Sequence, residues 1–408
     1  MFLPTMNKLV ILDFFLEQNR GHNEQYDFSL ASEALRQGIP AEIWCPGRGD
    51  NHQPGFVKQC LTSKPLTKKN LCSKALSALA RTLELRKIFA QNNFDRDTVI
   101  LIPSIDSHLL LDLSLALLGR QVKPKIIIVV RRGLKDHIQT LGPLIARLRT
   151  LLTDLFLKYL HDKKNILFLS DSELITDEIV SFGFADAKTL PIPHLPPRQE
   201  PPRCRDGTVI GYFGDARYDK GFDLLPAIIE SVFKKYQSVS FILQSFLFDS
   251  SGPVQVAAAK LCALRDAFPD RITLLPKYLS DAEYADYMRK CSIVLIPYRK
   301  QFYGKGTSGI LAEAIACGAW AVVPAGTWMA AQKSRYSKIV VFDSLDVGTV
   351  AEAVGYCIEN EKNIDVKLLN YQIHQWYQFH CPARYIDIML SVTADLPKRH
   401  QFAFAGEK

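Results

Sequence analysis

Residues 291–324, CSIVLIPYRKQFYGKGTSGILAEAIACGAWAVVP, restrict the fold more than any other stretch. They open on an apolar run, Ile293 to Ile296, stopped by Pro297, and close on another, Ala319 to Val323. Short apolar runs of this kind read as strands covered on both faces of a parallel sheet. Between them lie a loop with Gly304, Gly306 and Gly309 and a compact apolar helix from Ile310 to Ala316. Thr307 and Ser308 stand where an N-cap belongs. The order is strand, glycine loop, helix, strand. Free backbone N–H groups at a helix start, with no bulky side chains nearby, make a site for phosphate. Glu313 does not fit its surroundings: it is a lone carboxylate in a helix of small apolar residues, and a charge there needs a partner. A ribose diol would serve, because one carboxylate accepts from two hydroxyls. The alternative is a helix-dipole glutamate facing water.

The same strand-and-helix theme runs through the whole chain. In the first half, apolar runs at 8–14, 40–45, 98–102, 125–130 and 165–169 alternate with helix-period stretches at 24–37, 70–91, 107–119, 142–161 and 172–182. Residues 190–206, LPIPHLPPRQEPPRCRD, break the pattern, since prolines cannot join a sheet interior. The theme restarts with strands expected at 208–213, 239–243, 271–275, 292–296, 319–323 and 338–342. The expected organisation is two doubly wound α/β domains, 1–189 and 207–367, joined by the proline-rich connector 190–206. An aromatic helical segment at 368–397 is expected to pack back on the first domain, with a mobile tail at 398–408. Open α/β sheets bind ligands beyond the carboxyl ends of their strands, so the natural site is the cleft between the domains.

A chain of 408 residues is long for one domain, and two is the prior. No apolar run approaches the ~20 residues that a spanning helix needs, and residues 8–16 read as a first strand, not a signal peptide. The nine cysteines are scattered and never form a CxxC pair. Free thiols in a reducing cytosol follow, and neither disulfides nor a zinc site is expected. Charge is unevenly placed. Residues 58–164 hold 20 Lys+Arg and 8 Asp+Glu, a balance of +12 against +8 for the whole chain. Such a basic half suits a polyanion, an anionic membrane or a phosphorylated substrate.

A second motif is GYFGDARYDKGFDLL, 211–225. A strand ends near Phe213, Gly214 makes the turn, and a helix begins near Gly221. Arg217 and Lys220 share the loop. One forked guanidinium and one ammonium match the two negative groups of a pyrophosphate; a polar turn with solvated charges is the plain alternative. Together the two motifs resemble the C-terminal half of a glycosyltransferase of the GT-B fold, and more narrowly the large retaining family 4. ARYDKGFDLL resembles that family's phosphate clamp, and TSGILAEAIACGAWAVV resembles its Glu-x7-Glu block with the following helix and strand. The likeness covers about 205–330. It implies a GT-B fold of two Rossmann-like domains facing across a cleft. It also implies that Arg217 and Lys220 hold the donor diphosphate, that Glu313 binds the ribose, and that the Ser308 and Gly309 amides face phosphate. The first Glu of the block falls on Lys305, which reverses the charge where the family touches the transferred sugar. Gly214, Gly306, Thr307 and, by position, the base-stacking candidate Tyr278 complete the expected donor site.

On the acceptor side the candidates are Gly21 and His22 after the first strand, Asp106, His137, and Arg132 in Val130-Arg131-Arg132-Gly133, where two arginines end a strand and suit an anionic acceptor. Two amphipathic basic stretches, 66–87 and 144–164, either cover a sheet or form a membrane-surface face beside a lipid-linked acceptor. The expected activity is transfer of a sugar, with retention, from a nucleotide sugar to a saccharide or lipid-linked acceptor in surface polysaccharide or glycan synthesis. The nucleotide sugar is a substrate, so no cofactor is expected. No metal is expected either, because two cations and a helix terminus take its place and no DxD pair is in position. The chain is expected in the cytoplasm, at most peripheral at the inner membrane face, and carries no nucleic-acid motif. Two rivals remain: a GT-B sugar-nucleotide epimerase and a non-catalytic nucleotide-binding scaffold.

Overall fold

The structure, a computed structural model, describes residues 6–16, 22–46, 54–61, 71–133, 143–196, 207–247 and 252–396. The chain divides into two compact units, Met1–His194 with His380–Lys408, and Leu195–Phe379. It therefore passes from one unit to the other at 194/195 and returns at 379/380.

In the first unit β1 (Lys8–Leu12), β2 (Ala41–Pro46), β3 (Val57–Leu61), β4 (Thr98–Ile102), β5 (Lys125–Val129) and β6 (Ile166–Leu169) form a parallel sheet in the order β3-β2-β1-β4-β5-β6. Helices α1 (His22–Arg36), α2 (Leu71–Gln91), α3 (Ser107–Leu117), α4 (Pro143–His161) and α5 (Glu173–Ser181) cover it. The continuous apolar runs have a simple cause. Alternate residues point to opposite faces, and both faces are buried. Val10, Leu12, Ile100, Ile102, Ile126 and Ile128 pack with Leu85 and Ile88 of α2, Leu109 and Leu113 of α3, and Leu157 and Leu160 of α4. Leu9, Ile11, Val99, Leu101, Ile127 and Val129 pack on the other face with Tyr26, Leu30 and Ala34 of α1. Strand β3 (VKQCL) pairs only with β2 and sits at the sheet edge. Its mixed sequence suits an edge, and that is why no apolar run announced it. Arg81, one of the cations of the basic stretch 66–87, is turned inward. Its Nε donates to Asp112 of α3 at 2.6 Å, with both residues buried. Burial pushes the Asp112 carboxyl up to about 6, against the pull of Arg81.

The second unit repeats the design. Strands β7 (Thr208–Tyr212), β8 (Val239–Gln244), β9 (Ile272–Leu275), β10 (Ile293–Leu295), β11 (Trp320–Pro324) and β12 (Ile339–Phe342) form a parallel sheet in the order β12-β11-β10-β7-β8-β9. Helices α6 (Leu225–Lys235), α7 (Gly252–Ala267), α8 (Asp281–Lys290), α9 (Lys300–Tyr303), α10 (Gly309–Ala316), α11 (Trp328–Ala331), α12 (Val347–Glu359) and α13 (Val366–Phe379) complete it. In both sheets the first and fourth strands lie side by side, so strand order reverses there. At such a point neighbouring strands send their loops to opposite faces and leave a crevice. Each unit is thus a doubly wound, Rossmann-like domain.

The 368–397 segment, expected to pack as one element on the first domain, is two helices. Helix α13 stays with the second unit, where the Trp376 indole N–H donates to Ala312 O of α10 at 3.1 Å. Helix α14 (Pro382–Asp395) belongs to the first unit and packs on α1, with Tyr385, Ile386 and Met389 in the core. Pro382 at its first turn and Cys381 as its cap explain the break.

Candidate functional site

The two motifs meet where the strand order of the second sheet reverses. Strands β7 and β10 are neighbours, with Ile210 opposite Ile293. After β7 the chain turns at Gly214 (φ 98°), makes two single turns of tight helix, Tyr218–Lys220 and Phe222–Leu224, and enters α6. After β10 it runs through Pro297, Tyr298 and α9 to α10. Gly221 joins the two loops. Its φ is 72°, and a Cβ there would lie inside the shell of the Pro297 carbonyl oxygen. Gly221→Ala is expected to cost about 2–4 kcal/mol, from left-handed strain plus the clash. Urea unfolding measures it. A cost under about 0.5 kcal/mol would show that the loops are free to part.

Arg217 reaches from the first loop to the second. Its Nε donates to Asp219 Oδ1 at 2.9 Å, and its Nη2 donates to Asp219 Oδ2 and to the Tyr303 hydroxyl, each at 2.5 Å. The Tyr303 hydroxyl in turn donates to Asp219 Oδ2 at 2.9 Å. Burial works against the guanidinium charge, but the Tyr303 and Asp219 oxygens more than offset it and hold Arg217 cationic. Lys220 lies close to the backbone turn. A Cβ on Gly214 would be 2.5 Å from its Nζ, and the Tyr298 ring centroid is 5.8 Å away. A side chain at 214 would push that ammonium aside. Arg299 braces the loops from outside, forked on Asp223 with both bonds at 2.9 Å and stacked 3.6 Å over Tyr218.

Ser308 is the N-cap of α10, its Oγ accepting from Leu311 N at 3.2 Å. Gly309 opens the helix, and Gly306 and Thr307 are half-buried just before the cap. Glu313 is 4% exposed inside a helix whose residues from Ile310 to Ala316 are all buried. It accepts a hydrogen bond from the Tyr284 hydroxyl at 2.6 Å. Burial pushes its carboxyl up to about 8, the Tyr284 bond pulls it down, and Asp281 pushes it further up. At neutral pH Glu313 is thus mostly protonated in the unliganded protein. Tyr278 is half-buried with its ring 4.1 Å from Phe246, whose carbonyl accepts from Ala216 N at 2.9 Å, so it borders the Arg217 loop. Lys305 is exposed.

The first-unit candidates gather less. Gly21 and His137 lie outside the described residues, and His22 opens α1. Asp106 is the N-cap of α3, with its carboxylate taken by His108 N and Leu109 N. Arg132 is exposed after β5. Arg131 does not stand beside it as a second anion contact. Its Nε donates to Asp171 at 3.1 Å and its guanidinium lies 4.2 Å over Tyr26, because a half-buried cation is drawn to a buried carboxylate. Asp219, Tyr303 and Tyr284 escaped the sequence reading. Asp219 alone carried a signal, being an acid between the two cations of the motif.

No family model matches the sequence, and no curated protein matches it. Solved structures do match. Sucrose-phosphate synthase from Thermosynechococcus elongatus superposes with a TM-score of 0.61 at 12% identity, over 98% of this chain and 100% of that one. An alpha,alpha-trehalose-phosphate synthase (UDP-forming) from Burkholderia vietnamiensis gives 0.65 at 12% identity, over 96% and 97%. A lipopolysaccharide outer core galactosyltransferase gives 0.62 at 13% identity, over 94% and 99%. The chain has the fold of these proteins, the GT-B fold.

Proposed function

We propose that the protein is a glycosyltransferase that takes a sugar from a nucleotide-sugar donor and passes it, with retention, to a saccharide or lipid-linked acceptor. The observation that carries this is the meeting of Arg217 and Lys220 with the loop that leads to the capped start of α10 and to buried Glu313. Negative charge grows on the diphosphate as the glycosidic bond breaks. Fixed cations and the helix start therefore bind the transition state better than the bound donor. Glu313 receives the ribose diol in exchange for Tyr284. In this reading the stabilisation comes from side chains and backbone. Structures with the same fold include a synthase described as UDP-forming and a galactosyltransferase, which supports the class of reaction and leaves base and sugar open. Among the described residues no helix is long and apolar enough to cross a membrane.

A thermal-shift screen against UDP, GDP, ADP and CDP tests the donor site. One diphosphate at 100 times its Kd should stabilise the fold by about 2.7 kcal/mol. No response to any of the four would remove the basis for a donor site. Selective binding with no transfer from any matching nucleotide sugar would favour the non-catalytic reading that Lys305 raises, and epimer formation from the sugar nucleotide alone would favour the epimerase.

A further inference from the structure

One outer face of the first unit is crowded with leucines. On α2, Leu76, Leu79 and Leu83 are each more than half exposed, as are Leu151 and Leu155 on α4 and Leu118 just past α3. Leu115 and Leu152 are more than a third exposed. Spacings of three and four place each helix's leucines in one stripe. Helix α3 packs against both α2 and α4, which places the three stripes side by side. The inner faces of these helices, with Leu85, Ile88, Leu157 and Leu160, already fill the core. Among the described residues the outer leucines therefore cover nothing in their own unit, and an apolar patch of that kind marks an interaction surface.

Its surroundings say what the surface meets. Besides the inward Arg81, helix α2 carries Lys74, Arg86 and Lys87 against the single acid Glu84, and α4 carries Arg147, Arg149 and Lys158 against Asp154. At the carboxyl ends of the helices, Arg86 donates to Leu115 O at 2.9 Å, Arg120 to Arg86 O at 3.4 Å and Lys163 to Arg120 O at 3.0 Å. Each of these cations leans on a carbonyl of the neighbouring helix or of the turn that follows it.

We propose that this face seats the protein on an anionic lipid bilayer, with the leucines in the interfacial layer and the arginines and lysines among the headgroups. A second copy of the chain is a poorer occupant, because two-fold pairing would press the same positive rim against itself. Bare polyanions such as nucleic acid have no use for eight exposed leucines. The inference goes beyond the donor-site reading and does not rest on it.

Flotation of the full-length protein with vesicles tests the proposal, using phosphatidylcholine alone or with about one-third phosphatidylglycerol. The protein should float with the anionic vesicles, much less with the neutral ones, and less as salt is raised. The double variant Leu79→Gln/Leu155→Gln should lose at least about tenfold in vesicle affinity. Its thermal midpoint should stay within about 2 °C of wild type, since both positions are exposed. A protein that stays in solution with both vesicle types overturns the proposal, as do equal flotation on neutral and anionic vesicles and a double variant that floats like wild type. A dimer that the same variant splits, with no flotation of the wild type, assigns the face to a second copy and overturns it too.

Discussion

Arg217→Ala should slow sugar transfer by about 100- to 1,000-fold, the loss seen when one preorganised donor to a developing anion is removed. The effect should fall on kcat more than on KM, because the charge that Arg217 meets grows during the reaction. Arg217→Lys separates fork from charge. Asp219 and Tyr303 engage two corners of the guanidinium at once, and an ammonium cannot satisfy both, so lysine should restore little. Lys220→Ala should cost a comparable factor, and the double variant less than the product, since the two cations serve one leaving group. Steady-state kinetics with the donor that the thermal screen selects would decide it. Transfer at the wild-type rate by either single variant would sink the clamp.

Glu313→Gln should change stability and donor binding in opposite senses. The Glu313 carboxyl titrates near 8 when folded, against an ordinary value of 4.5. The folded state therefore holds its proton more tightly than the unfolded state. Stability is full below about pH 4.5 and drains away as pH rises through 8, by on the order of 3–5 kcal/mol for a shift of this size. Glutamine keeps the shape and can still accept from Tyr284 but never ionises. The variant should match wild type near pH 5 and exceed it progressively up to pH 8–9 in urea unfolding. Nucleoside diphosphate affinity measured at pH 8–9, where the carboxylate ionises, should fall about tenfold or more, because a charged acceptor of two ribose hydroxyls is lost. A stability difference that does not change with pH would show that Glu313 is ionised in the native protein. Unchanged affinity would take the ribose elsewhere.

The glycine loop, the Ser308 cap and the Arg217 motif were legible because their chemistry is local. Caps and turns are written within four or five residues. The alternating pattern of buried strands was legible for the same reason, and it carried the two-sheet architecture. What sequence could not show is partnership at a distance. Tyr303 lies 86 residues from the guanidinium it accepts from, and Asp112 lies 31 residues from the Arg81 it draws inward. On a helical wheel Arg81 looked like a surface charge, and only the buried carboxylate on the next helix decides otherwise. Arg131 is the same case, since Asp171 takes it from the role its position suggested. The split between α13 and α14 was written locally, in Cys381-Pro382, and was passed over in favour of the aromatic content around it.

The return of the chain at 379/380 has a consequence for biosynthesis. The first unit is built from two distant pieces of sequence, and Tyr385, Ile386 and Met389 supply part of the wall that faces α1. Until those residues have emerged from the ribosome, the amino-terminal piece holds apolar surface with nothing to close over it. The second unit is one continuous segment and faces no such delay. The half made first is therefore the half completed last, and the nascent amino-terminal sheet must be kept from aggregating while the carboxyl-terminal one matures.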